Sequence, residues 1–328
     1  MGEKLVLGID IGGTKVAAGL VNAAGEIVSS SRAPMNANGT AAEAMRSVER
    51  AIAGVYPDAR GREVFGAGVA SPGPLDPARG LVLHSPNLPC WRDFPLLAAV
   101  SSVCGIPVRL DNDANAAGLA EALWGAGAGE PHVLYITIGT GIGTALIHNG
   151  HLYHGRTGAA PEGGHMTIDI NAPVRCACGK RGCLEGMAAG PAIAERAREL
   201  ARKDPKGAAT LIQMAGGDIA GITTEAVFDA WAAGDACSAA VIDATLELLM
   251  VWLGNMIDLF EPDTIILGGG VGMRLQPMFE RLRTGSARWS INQRAAEIPI
   301  MPAKYGVDAG IAGSAALWFQ DAKRHVTV

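Results

Sequence analysis

Two glycine-centred turns, each entered from one apolar run and left into another, constrain this chain more than any other feature. The first, Asp10-Ile-Gly-Gly-Thr-Lys15, lies between the runs 5–9 and 16–21; the second, Thr137-Ile-Gly139-Thr-Gly141-Ile-Gly143, lies between 132–138 and 144–147. Short apolar runs broken by tight turns read as strands of a meander. Near the N-terminus a third strand over 26–29 follows Asn22-Ala-Ala-Gly25. The spacing of Met45, Val48 and Ile52 then predicts a helix over 41–55, and 64–70 reads as a strand ending at Ser71-Pro-Gly-Pro74. The unit is βββαβ. The second segment restarts the pattern, with His148-Asn-Gly150 as a hairpin turn and 151–153 returning. Its internal spacings differ by a few residues, so a structural duplication with insertions is expected. Further helices are expected over 191–202, 223–233, 239–260 and 310–320, with a strand over 264–267 running into Gly268-Gly-Gly270. An α/β protein of two lobes follows, over residues 1–120 and 121–328.

Paired glycines let backbone N–H groups approach an anion without a Cβ in the way, and a strand-end carboxylate such as Asp10 can hold Mg²⁺ through water. A Walker A loop is excluded, because the order is Gly-Thr-Lys and the next element is a strand. One such turn alone would be a plain hairpin. Two of them, carrying Gly12, Gly13, Thr14 and Lys15 and then Thr137, Gly139, Thr140 and Gly141, are more than that. Together with Gly268 and Gly269 after a third strand, they resemble the two phosphate loops and the adenosine loop of the actin-like ATPase (ribonuclease H-like) fold of sugar kinases.

Cys176-Ala-Cys178-Gly-Lys-Arg-Gly-Cys183 crowds three thiols into eight residues of a chain with six cysteines. A disulfide between Cys-x-Cys neighbours closes too small a ring and leaves one thiol unpaired. Three thiolates suit a soft metal better, and zinc requires a fourth donor, for which His165 is the nearest upstream histidine. Four protein ligands leave no open position, so such a zinc would brace a loop and do no chemistry.

Asp111-Asn-Asp113-Ala-Asn115 joins a strand over 106–110 to a helix from about residue 114. An acid there is commonly an N-cap, yet ligands of open α/β sheets collect at the carboxyl ends of strands, where a carboxylate can take a proton from an attacking hydroxyl. Glu162 and Glu185 bracket the thiol cluster, and fixed charged acceptors are what a polyhydroxylated sugar needs. His84, His132, His148, His151, His154 and His325 share no spacing and read as structural or exposed. Cys90, Cys104 and Cys237 sit among apolar neighbours and read as inert core thiols.

Net charge is −5 with 18% charged residues, and no run of like charge marks a nucleic-acid or membrane-surface patch. The run 5–9 is too short for a signal-peptide core. The apolar segment 246–260 is interrupted by Glu247, Asn255 and Asp258 and reads as a buried helix, short of a membrane span. A cytoplasmic protein is expected, and reducing cytosol favours metal-bound or free thiols.

Asn112-Asp113-Ala-Asn-Ala116, Glu162-Gly-Gly-His165 and Cys176 to Glu185, in this order, are similar to the motifs of the ROK family (repressor, open reading frame, kinase), and in particular its bacterial glucokinase branch. The resemblance covers nearly the whole chain. It implies an ATP-dependent hexose kinase acting on the 6-hydroxyl, with glucose as substrate; N-acetylglucosamine, N-acetylmannosamine or fructose are the alternatives within the same chemistry. It implies Asp113 as general base, Asn87, Asn112, Glu162, His165 and Glu185 as sugar ligands, and His165, Cys176, Cys178 and Cys183 as zinc ligands. A homodimer or higher homo-oligomer is a family expectation. The family's repressors carry a helix-turn-helix ahead of the first strand; here that strand starts at about Lys4, which with the net acidity favours the kinase and no nucleic-acid partner.

Three departures stand out. Pro161-Glu-Gly-Gly-His165 replaces Gly-Glu-apolar-Gly-His, Asp111 stands where the branch usually has Glu, and Thr144 is more polar than usual. Gly163, lacking a side chain, is expected to open room for a bulkier group at the sugar 2-position.

Overall fold

The computed structural model describes residues 4–59 and 63–320, so His325 lies outside the described residues. The expected meander is present as β1 (Lys4–Ile11), β2 (Lys15–Asn22) and β3 (Ile27–Pro34), followed by α1 (Ala41–Ala53) and β4 (Glu63–Ser71). Thr40 and Glu43 start α1 with a reciprocal capping box, each side chain taking up a backbone N–H of the other. Three short strands absent from the sequence reading, β5 (Leu75–Asp76), β6 (Leu81–His84) and β7 (Arg92–Phe94), make a small sheet of their own. Then come α2 (Leu96–Cys104), β8 (Val108–Asn112) and α3 (Asp113–Trp124), and a second meander of β9 (His132–Ile138), β10 (Ile142–His148) and β11 (His151–Leu152). The remaining elements are α4 (Leu184–Ala188), α5 (Gly190–Lys203), α6 (Ala209–Met214), α7 (Thr224–Ala232), α8 (Ala236–Phe260), β12 (Thr264–Gly268), α9 (Gly269–Arg274), α10 (Phe279–Ser286), β13 (Ile300–Pro302) and α11 (Ala309–Ala316).

The duplication is visible in the sheet orders, β3-β2-β1-β4-β8 and β11-β10-β9-β12-β13. In each, a three-strand meander is extended past its first strand by two later strands, and β1–β4, β4–β8 and β12–β13 pair in parallel.

The described chain packs as two compact units: residues 4–135, 145–161 and 303–320 in unit 1, and residues 136–144 and 162–302 in unit 2. This interleaving differs from a single cut after residue 120. In unit 1, Leu5, Leu7, Ile9 and Ile11 of β1 point into a core shared with α1 and α2, while Val6, with Ala17 and Val21 of β2, packs on Ile311 and Ala315 of α11. With both faces covered, the strand is apolar without alternation from Leu5 to Ile9. The segment leading to α11 is tied back by Glu121 of α3, a fully buried carboxylate that accepts the backbone N–H groups of Lys304 (2.8 Å), Tyr305 (3.0 Å) and Ala126 (3.0 Å). A buried carboxylate satisfied by three donors is a strong local constraint.

Unit 2 is built around α8, twenty-five residues long and apolar enough by length and composition to cross a membrane. Val241, Ile242, Leu246, Leu249, Leu253 and Ile257 of this helix are buried, and it packs against α4, α5, α7 and α10. Cys90, Cys104 and Cys237 are free and half-buried, less deeply placed than core residues. Burial pushes the Cys104 thiol up to about 11, so it stays protonated and unreactive at neutral pH.

Candidate functional site

Unit 1 holds the first glycine turn and the Asp111–Asp113 junction. The turn is closed by the Gly12 N–H donating to the Lys15 carbonyl at 2.9 Å. A Cβ on Gly13 would lie 2.6 Å from the carbonyl oxygen of Asn87, so glycine is required there and the Asn87 segment is set directly against the turn. Asn87 itself is exposed. At the junction, Asn112 is the N-cap of α3: its side-chain oxygen accepts the N–H groups of Ala114 (2.9 Å) and Asn115 (3.3 Å). That leaves Asp113, the first residue of the helix, with a side chain that solvent reaches although protein crowds around it.

The electrostatics single out two carboxylates in unit 1. Enough protein surrounds Asp113 that burial pushes its carboxyl above the usual 3.8, although the Ala114 N–H and Asn112 pull it down. Asp10 is pushed up to about 6, first by burial and then by the charge of Asp113, with Lys15 and Arg32 opposing. Carboxylates raised by burial, one of them also by the charge of the other, are a pattern of acid–base sites.

His154, read from sequence as structural or exposed, is a partner in this junction. Its Nε2 lies 2.6 Å from Oδ2 of Asp111, a carboxylate only 4% exposed. The hydrogen bond to Asp111 outweighs partial burial and holds His154 protonated to higher pH than a free imidazole.

Unit 2 gathers the rest. Ligand atoms of His165, Cys176, Cys178 and Cys183 all lie within 4.8 Å of one another. Tetrahedral zinc, with Zn–S of about 2.3 Å and Zn–N of about 2.0–2.1 Å, places sulfurs about 3.8 Å apart and sulfur about 3.6 Å from nitrogen. Cys178 Sγ and Cys183 Sγ are 3.7 Å apart, and Cys176 Sγ is 3.5 Å from His165 Nδ1, so the donor set fits that ion. His165 Nε2 points the other way, 4.0 Å from Oε2 of Glu162. Lys180 fixes the histidine backbone by donating to its carbonyl at 2.7 Å. Glu185, the second residue of α4, has one oxygen 3.8 Å from His165 Nδ1, and its other oxygen accepts the Ile142 N–H at 2.9 Å. The thiol cluster and the second glycine turn are therefore linked through one carboxylate.

That second turn lines a cavity of about 900 Å³ in unit 2, with Gly139, Thr140, Gly190, Thr224, Phe228 and Gly270 on its wall. The Gly190 N–H donates to the Gly139 carbonyl at 2.8 Å and Thr224 Oγ1 to the Gly190 carbonyl at 2.7 Å, which sets the start of α5 against the turn. Gly269, at φ +78°, sits where a Cβ would be 2.4 Å from the Ile138 carbonyl oxygen, so the third glycine run is packed on the second. Sequence reading missed Gly190, Thr224 and Phe228. They come from helices that carry no phosphate motif.

Residues 6–321 match the ROK family profile. The chain belongs to the ROK family. It is 33% identical to a glucokinase of Thermotoga maritima over 95% of this chain and 96% of that one. It is 32% identical to an N-acetylmannosamine kinase of Yersinia pseudotuberculosis, over 97% of this chain and 98% of the other. A ROK family glucokinase from Streptomyces griseus, solved in complex with glucose and AMPPNP, superposes with a TM-score of 0.82 at 34% identity, covering 95% of this chain and 98% of that one. The actin-like ATPase fold expected from the glycine turns is thereby borne out.

The departures of this ROK chain at 163 and 144 prove to be one feature. Thr144 Oγ1 accepts the Gly163 N–H at 2.9 Å, and Trp252 Nε1 donates to the Gly163 carbonyl at 3.0 Å. A Cβ on Gly163 would lie 3.0 Å from Thr144 Cγ2 and 3.1 Å from Trp252 Cζ2. The expected extra room is absent: these two side chains occupy it. Gly163→Ala is therefore expected to cost about 1–3 kcal/mol by overpacking, and adding Thr144→Ser, which removes the nearest atom and keeps the acceptor, should recover part of it. Urea denaturation of the wild type, the single variant and the double variant checks this. A Gly163→Ala single variant as stable as the wild type would show that the contact is loose.

Proposed function

We propose that this ROK protein transfers the γ-phosphoryl group of ATP to the 6-hydroxyl of a hexose, with glucose as the preferred acceptor. The arrangement of unit 2 carries this reading: a cavity of nucleotide size on the second glycine turn is linked, through the Ile142 to Glu185 hydrogen bond, to a cluster of acids and an imidazole suited to sugar hydroxyls. The family membership and the glucose- and AMPPNP-bound relative support it.

On this reading the cavity takes the nucleoside, and the turn N–H groups of Thr140 and Gly141 take phosphate oxygens, while Gly139 closes the turn by donating its own N–H to the Gly141 carbonyl at 2.9 Å. Gly12, Gly13, Thr14 and Lys15 of unit 1 serve phosphate as well, with Thr137, Gly268 and Gly269 shaping the nucleotide loops. Asp10 would hold Mg²⁺ through water, and bound Mg²⁺ neutralises charge on the β- and γ-phosphates. Asn87, Asn112, Glu162, His165 and Glu185 orient the sugar by its hydroxyls, and Asp113 accepts the proton of the attacking one. His165, Cys176, Cys178 and Cys183 would hold a structural zinc, with Nδ1 of His165 toward the metal and Nε2 left for Glu162 and the sugar. A cytoplasmic homodimer or higher homo-oligomer without a nucleic-acid or membrane partner completes the proposal. Trp289 and Ile291, 55% and 89% exposed, are apolar surface of the kind a second copy covers.

N-acetylhexosamine kinases remain the second reading, because a relative at 32% identity is an N-acetylmannosamine kinase. Occupation of the space beside Gly163 by Thr144 and Trp252 favours glucose. Coupled ADP release gives kcat/KM for glucose, mannose, fructose, N-acetylglucosamine and N-acetylmannosamine, and glucose is expected to lead. An N-acetyl sugar preferred about tenfold, roughly 1.4 kcal/mol of transition-state binding, would overturn glucose and leave the kinase standing.

A further inference from the structure

We infer that His154 is a positioning residue for Asp113, acting through the buried carboxylate of Asp111. The inference rests on the reading of Asp113 as the base.

All the groups involved lie in unit 1. Asp111 is in β8, one residue before the N-cap, and each of its oxygens is engaged. Oδ1 accepts the Asn112 N–H at 2.7 Å and the Asn115 side-chain amide at 3.0 Å; Oδ2 meets His154 Nε2 at 2.6 Å. Asn115 lies one helical turn beyond Asp111, so this carboxylate spans the first turn of α3, with the cap residue Asn112 and Asp113 enclosed in the span. His154 comes from the segment after β11, forty-three residues away in sequence, and that segment is closed on itself by the Ala160 N–H donating to the His154 carbonyl at 3.1 Å. Fixed from outside the junction, the imidazole supplies, among the described residues, the one hydrogen-bond partner of the Asp111 side chain that is not local to α3. Take it away and a carboxylate only 4% exposed keeps two donors on one oxygen and loses its hydrogen-bond partner on the other. A buried charge left short of partners reorganises its surroundings, and here those surroundings are the turn that aims Asp113.

His154 is not placed to touch the substrate in this account. Its effect is geometric, and small displacements of a reacting group are costly to rate. Substitution should therefore act on kcat, and the nucleotide cavity, built wholly from unit 2, should be indifferent.

The experiment is steady-state kinetics of the full chain with ATP and the best sugar of the panel, for His154→Ala, His154→Gln and Asp113→Asn, with Tm measured for each. His154→Ala is expected to lower kcat about tenfold with KM for ATP unchanged within twofold. His154→Gln keeps an N–H donor of similar reach and should return kcat to within about threefold of wild type. A wild-type kcat in His154→Ala, with Asp113→Asn slow, overturns the positioning role and leaves the base in place. A His154→Gln variant that folds and is as slow as the Ala variant also overturns it, because the hydrogen bond would then not be what matters. Near-normal turnover of Asp113→Asn is a different failure, that of the base itself.

Discussion

Asp113→Asn is expected to fold normally and to turn over roughly two or more orders of magnitude more slowly than the wild type. The helix cap belongs to Asn112, which this change does not touch, and the Asp113 Oδ1 that accepts the Ala114 N–H at 2.8 Å has a counterpart in asparagine. What asparagine lacks is the ability to take a proton at neutral pH. In the wild type, burial raises the Asp113 carboxyl above 3.8, so activity should fall as pH drops through that raised value, which puts the acid limb of kcat/KM above the ordinary carboxylate range. Comparing kcat and the pH profile of the two proteins decides the matter. Near-normal turnover would make Asp113 a turn residue and would remove the mechanism proposed above.

Loss of zinc is the second large effect expected. Freshly purified, reduced protein should contain about one zinc per chain, and chelation should lower Tm, because the metal would tie His165 to three thiols of a segment otherwise held by backbone hydrogen bonds such as Ile168 N–H to the Gly182 carbonyl and Cys176 N–H to the Lys180 carbonyl. Cys178→Ser tests the site with little damage to packing: Cys178 is exposed, whereas Cys176 and Cys183 are buried. Its metal content and its affinity for sugar should fall together, since His165 would lose the ion that orients its ring through Nδ1 and with it the alignment of Nε2 toward Glu162. Elemental analysis showing no zinc in reduced wild-type protein would end this reading. Normal sugar affinity in a zinc-free Cys178→Ser variant would separate the metal from the sugar site.

Much of the protein is legible in local pattern. The strands of both meanders, the glycine turns and the long helix follow from apolar periodicity and turn chemistry, and their observed limits lie within a few residues of those expected; β9 over 132–138 and the end of α8 at Phe260 coincide with them. The cluster of His165 with Cys176, Cys178 and Cys183 is legible too, because three of its four members are neighbours along the chain and thiols so crowded have few other uses. Other elements left no such signal. The strands β5 to β7 are two to four residues long, too short for a period to declare itself.

The sequence by itself determined the duplicated α/β core, the donor types of the proposed phosphate, metal and sugar sites, and the strand-to-helix junction at Asp113. Only the tertiary structure decided which distant groups hold those donors in place. His154 reaches Asp111 across forty-three residues, Trp252 reaches Gly163 across eighty-nine, and Glu121 draws the backbone at Lys304 and Tyr305 back to α3 across more than one hundred and eighty. None of these pairs has a local signature. A lone histidine, a threonine after a glycine turn or a glutamate in an alanine-rich helix looks the same in sequence whether it faces solvent or completes a buried network. Period and turn chemistry report the conformation of a segment, while hydrogen bonds between segments depend on how sheets and helices pack.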